Sequence, residues 1–172
     1  MTQNYRDAFL NTALSVGVFE KDERGRIILD PMFDGNAHLL QSAAFACRQA
    51  INKTSPLYEV DAFMSFEHPQ YPLVTAAAMQ FLGGDAKKFF HYSNHCLTGC
   101  FLEGKKVILI GTIESETQIQ GAVRYMQQWG ATVIGVVILF SETATMQNPE
   151  IDVPIVRIFQ DTEIEDALMA IA

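Results

Sequence analysis

Residues 107–130 read VILIGTIESETQIQGAVRYMQQWG, an apolar strand, a short polar turn and an amphipathic helix in immediate succession. The strand is VILI (107–110), and the helix is expected from about 116 to 129, where Gly130 stops it. A strand that passes straight into a helix is the building block of a parallel α/β sheet. The helix N-terminus after such a strand offers free backbone N–H groups, the usual place for a phosphate. This turn, however, carries Glu114 and Glu116 and no Lys or Arg.

The same alternation extends outward in both directions. Residues 4–16 carry Phe9, Leu10, Ala13 and Leu14 at helical spacing before Gly17. DERGRIILD predicts a turn at Gly25 and a short strand over 26–29. Asn36 is placed to cap a helix over 37–52 that buries Leu39, Leu40, Ala43, Cys47 and Ile51. VDAFMSF (60–66) reads as a strand, YPLVTAAAMQFLGG (71–84) as a helix, and KKFFHY (87–92) as a strand followed by a polar loop, SNHCLTGC. TVIGVVILF (132–140) and VPIVRIF (153–159) are further strands, and TEIEDALMAI is a last helix. The expectation is one domain, residues 1–172: a doubly wound, mostly parallel sheet with helices on both faces. Within it, 1–35 forms a helix and a small hood, and 36–172 forms the core.

Composition narrows the function classes. The 172 residues carry a formal charge of −8 with only 12 Lys plus Arg, and no basic stripe is present, which argues against nucleic acid as partner. No apolar run approaches the roughly 18 residues of a membrane span. MTQNYRDAFLN lacks the basic leader and apolar stretch of a signal peptide. Three cysteines at scattered spacing suit a reducing compartment, so a cytoplasmic protein is expected.

The segment 107–140 resembles the signature of the type I phosphoribosyltransferases: an apolar strand, two acids, two small aliphatic residues, Thr-Thr-Gly and a helix. The wider chain resembles the orotate branch of that family. DAFMSFEHPQYPLVTAAAMQFLG (61–83) is similar to its strand, pyrophosphate loop and helix, and RGRIILDPMFD (24–34) to its hood. IDVPIVRIFQDTEIEDAL (151–168) is similar to its final strand and helix. The resemblance implies a homodimer and a loop that holds the phosphate of phosphoribosyl pyrophosphate at Gly111, Thr112, Glu114, Ser115, Glu116 and Thr117. It places Glu67 and His68 in the pyrophosphate loop.

The departures bear on chemistry. Gly111 and Thr112 stand where the family has its two acids, and Ser115, Glu116 and Thr117 where it has Thr-Thr-Gly. A unit charge ~5 Å from a phosphate charge costs roughly 3 kcal/mol at an effective dielectric of 20, so the glutamates oppose a phosphate here. A ligand-free account also fits the turn. Ser115 and Gln118 have capping-box spacing, and the glutamates complement the helix dipole. His68, Pro69 and Gln70 replace the family's Lys and Gly, and the span 93–104, matching its mobile loop, has no Lys or Arg. Transfer generates pyrophosphate, whose charge must be neutralised by cations or Mg²⁺.

Two functions follow as expectations. One is a non-catalytic relative that binds, regulates or scaffolds, as a homodimer or beside a genuine phosphoribosyltransferase or another enzyme of its pathway. The other is an active phosphoribosyltransferase, or a related sugar-phosphate or nucleotide enzyme, with an atypical site. There Thr112, Ser115 and Thr117 would hold the substrate, and Glu67 and Glu114 would hold Mg²⁺. No cofactor is expected otherwise. HYSNHCLTGC supplies His91, His95, Cys96 and Cys100, soft enough for Zn²⁺ but without a zinc-site spacing. Trp129 is expected to pack under the sheet, Cys47 in the core and His38 on the surface. Asp61 and Asp152 are expected to serve turns.

Overall fold

The computed structural model describes residues 5–21, 23, 27–29, 36–53, 59–65, 88–93, 96–98, 102–113, 116–141 and 152–171. Helix α1 (Tyr5–Val16) leads into a two-stranded antiparallel sheet, β1 (Phe19–Lys21) and β2 (Ile27–Leu29). Helix α2 (Ala37–Lys53) follows, then β3 (Ala62–Ser65), β4 (Lys88–Ser93) and β5 (Cys96–Thr98). Strand β6 (Lys106–Ile113), helix α3 (Glu116–Gln128) and strand β7 (Thr132–Ser141) form the decisive β-α-β unit. Strand β8 (Ile155–Gln160) and helix α4 (Asp161–Ile171) end the described chain.

The main sheet has the order β5-β4-β3-β6-β7-β8. All neighbours are parallel except β4 and β5. This is the expected mostly parallel α/β sheet, and the small β1–β2 sheet corresponds to the hood. One expectation needs correction here. The span SNHCLTGC is not wholly a loop, because Cys96–Thr98 doubles back on β4 as an edge strand, with Ser93 opposite Cys96. Three residues are too few for a two-residue period to show in sequence. Strand β1 escaped for the same reason. The helix expected over 71–84 lies outside the described residues.

Strand alternation divides the core. Phe63, Ile108, Ile110, Val137 and Leu139 face α1 and α2, whereas Ala62, Met64, Val107, Leu109, Val136 and Ile138 pack with α3. Helix α3 contributes Ile119, Ala122, Val123 and Met126, the i, i+3, i+4, i+7 stripe of a helix laid on a sheet. Helix α2 starts as expected: Asn36 Oδ1 accepts the amides of His38 at 3.1 Å and Leu39 at 3.2 Å.

Both Gly-terminated helices close in Schellman motifs. The Val18 amide donates to Ala13 and the Ala131 amide to Met126, with Gly17 at φ 72° and Gly130 at φ 76°. The second motif corrects the expectation for Trp129. The chain leaves the helix at Gln128, Ala131 takes the buried place beside Met126, and Trp129 is left 53% exposed. Its ring lies 6.2 Å from Tyr125. Cys47 is fully buried and His38 exposed, as expected. Asp61 stands at a bend before β3, as expected, and also links strands: its carboxylate accepts the Lys106 amide at 2.9 Å. Among the described residues no helix is long and apolar enough to cross a membrane.

Candidate functional site

In an open parallel sheet, ligands lie beyond the carboxyl ends of the strands. Here those ends are reached at Ile113, Ser141 and Gln160. Strand β6 carries its ladder through the two positions at which the resembled family has acids: Gly111 pairs with Ile138, and Ile113 with Phe140. Gly111 is buried and contributes only backbone. Glu114 and Ser115 lie outside the described residues, as do Glu67 and His68. Helix α3 begins at Glu116, with Thr117 and Gln118 exposed in its first turn.

The described lysines of the main sheet stand away from this edge. Lys88 and Lys106 are the first residues of β4 and β6, at the amino ends, and Lys105 precedes them on the same side. At about 3.3 Å per residue, Lys106 begins roughly 16 Å from Gly111 along the strand. It also pairs with Glu59. At the carboxyl ends of β7 and β8 stands an aromatic plug instead. Phe140 and Phe159 are register partners with ring centroids 5.7 Å apart. Phe9 of α1 packs on both, and Phe19 of the hood meets Phe140 edge-on at 5.3 Å.

Arg6 caps this plug. Its guanidinium carbon is 4.8 Å from the Phe159 ring centroid, its Nε donates to the Ile158 carbonyl at 2.9 Å, and Nη2 pairs with Glu163. Burial pushes the Glu163 carboxyl up. The Gln160 amide and Arg6 outweigh it, holding the group below the ordinary glutamate value. The arginine that reaches the carboxyl edge of β8 is therefore committed to a carboxylate, a carbonyl and a ring.

Gly111 and Thr112 bring no carboxylate to this edge, and Glu67 and Glu114, the residues weighed for Mg²⁺, lie outside the described residues. No group of three or more His, Cys, Asp or Glu that could hold a metal occurs among the described residues. Of the zinc candidates, His91 pairs with Thr98 and Cys96 with Ser93, two rungs apart in the β4–β5 ladder. His95 and Cys100 lie outside the described residues. The sequence reading did not single out the aromatic plug, whose rings are scattered through the chain.

The fold is that of the type I phosphoribosyltransferases. Orotate phosphoribosyltransferase from Aeropyrum pernix superposes with a TM-score of 0.76 over 94% of this chain and 99% of that one, at 14% identity. The Mycobacterium tuberculosis orotate enzyme, solved in complex with 5-phospho-α-D-ribosyl 1-diphosphate, gives a TM-score of 0.72 at 14% identity, covering 94% and 99%. Adenine phosphoribosyltransferase from Thermoanaerobacter pseudethanolicus gives 0.65 at 12% identity, covering 88% and 99%. No family model matches the sequence, and no curated protein does.

Proposed function

We propose that this chain is an orotate phosphoribosyltransferase-like protein that has lost phosphoribosyl transfer and serves as a binding, regulatory or scaffold protein of the cytoplasm. The observation that carries this is the Gly111-Thr112 pair inside the β6 ladder. Where ribose hydroxyls and Mg²⁺ call for two carboxylates, the strand offers a glycine backbone and one hydroxyl residue. The charge pattern supports the same reading. Glu114 and Glu116 flank the turn, while Lys88, Lys105 and Lys106 sit at the far end of the sheet.

A homodimer is part of the proposal, and a genuine phosphoribosyltransferase or another enzyme of its pathway is the natural partner. Both rest on the resemblance and the shared fold.

The test is a thermal-shift titration with phosphoribosyl pyrophosphate, with and without Mg²⁺. Binding at a hundredfold the dissociation constant adds about 2.7 kcal/mol, several degrees in Tm for a chain of this size. No shift at millimolar ligand is expected. A Mg²⁺-dependent rise of several degrees would sink the proposal in favour of an active enzyme with an atypical site.

A further inference from the structure

Helix α3 lays its apolar stripe on the sheet, and its other side looks outward. The outward side of such a helix is ordinarily rich in charge. Charged residues make up 19% of the chain, yet the run 117–132, TQIQGAVRYMQQWGAT, holds Arg124 alone. Gln118, Gly121 and Gln128 are exposed there, and Trp129 is 53% exposed at the end of the helix. The partly buried Tyr125 ring lies beside it, with the centroids 6.2 Å apart. A surface poor in charge that carries a Tyr and a Trp has the composition of an interface, not of a solvated face.

Gly121 stands one turn before Tyr125 on the same row of the helix. Glycine inside a helix costs about 1 kcal/mol relative to alanine. Packing within the chain does not call for it, because a Cβ at Gly121 would meet nothing within 4 Å. The helix thus gives up stability to keep an open notch beside its two aromatic side chains. Gly121 and Trp129 lie equally far from Tyr125 along the chain, in opposite directions, so notch and ring are self-complementary. A two-fold axis through Tyr125 lays two α3 helices antiparallel and seats Trp129 of each copy on Gly121 of the other.

We infer that the outer face of α3 is the contact between two copies of this chain. Charge selects a second copy as the occupant. Each copy carries −8, so two copies meet with least repulsion where neither presents a carboxylate, and the run 117–132 has none. A basic partner would be drawn to acidic surface instead. The helix is 13 residues, about 20 Å, long. A contact of that length lies at the small end of interface sizes, which puts the dissociation constant in the micromolar range. The inference rests on the homodimer of the proposed function and adds its surface; it makes no use of the loss of transfer.

Trp129 is the only tryptophan, so its fluorescence reports on this surface alone. Sedimentation equilibrium and Trp129 emission are followed on the full chain from low micromolar to submillimolar concentration. The emission is expected to shift to the blue as the dimer forms, with one midpoint for both signals. Gly121→Ala should raise the Tm of the dilute monomer and weaken the dimer, two effects of opposite sign that a merely structural glycine would not give. Gly121→Glu, which sets a carboxylate from each copy on the face, and Trp129→Gln should each weaken the dimer roughly tenfold or more. A dimer whose Trp129 emission does not move, or one that neither Gly121→Glu nor Trp129→Gln weakens, overturns this surface and leaves the homodimer standing. A monomer at every concentration overturns both and leaves the face to a different protein.

Discussion

Arg6 is held by Ile158, Glu163 and Phe159 together, so its removal affects more than a charge. The ion pair alone is worth little, because both side chains are over a third exposed. Loss of the carbonyl hydrogen bond and the ring contact brings the expected cost of Arg6→Ala to about 1–2 kcal/mol. Denaturant unfolding should show it as a lower midpoint with unchanged slope. The contact also has a pH signature. Glu163 has its carboxyl depressed in the folded state, so its stabilisation is complete above the ordinary glutamate pKa. It is lost as pH falls through the lower folded value. The Arg6→Ala penalty should therefore shrink in strong acid, and a penalty constant with pH would contradict the assignment. At Cys47, burial pushes the thiol up to about 12. A maleimide or iodoacetamide at pH 8 should leave it unmodified until the protein unfolds, and rapid labelling of the native state would show that α2 opens.

The two Schellman turns give a controlled comparison between elements. Gly17 and Gly130 both sit at positive φ, so alanine at either is strained by about 1 kcal/mol or more. A Cβ at Gly17 meets nothing within 4 Å, whereas one at Gly130 comes within 3.2 Å of the Glu103 side chain and 3.3 Å of its backbone. Gly130→Ala is expected to lower Tm more than Gly17→Ala, and calorimetry on the pair decides it. Equal losses would mean that backbone conformation alone sets the cost. The helices were legible in sequence because their stripes and caps are local. Asn36, Gly17 and Gly130 marked boundaries that the structure reproduces within a residue or two. Strands β1 and β5 were not legible, since each is three residues long and owes its existence to a partner strand. Trp129 was misplaced because the stripe of α3 continues to it on paper, while the chain has already turned.

At the scale of the molecule, the parallel sense of the sheet followed from β-α-β alternation, but the order of its strands and the content of its carboxyl edge did not. Phe9, Phe19, Phe140 and Phe159 are scattered through the sequence, and no spacing announces that they meet. The candidate site was thus legible as a set of departures at Gly111, Thr112, Glu114 and Glu116, and illegible in what surrounds it. The proposed dimer is checked by light scattering at micromolar concentration: twice 19.2 kDa is expected, and a monomer mass would remove the scaffold built on it.

The clasp between Arg6 and Glu163 joins residues 157 positions apart. During synthesis α1 emerges well before its seat on Phe140, Phe159 and α4. Helix α1 can pair early with α2, where Tyr5 stacks on Phe45, but closing so large a loop makes the docking of Phe9 on Phe140 and Phe159 a late event. Such a wait is a window for self-association or for a chaperone. Nascent chains arrested before β8 should accordingly leave α1 easier to proteolyse than chains arrested after α4.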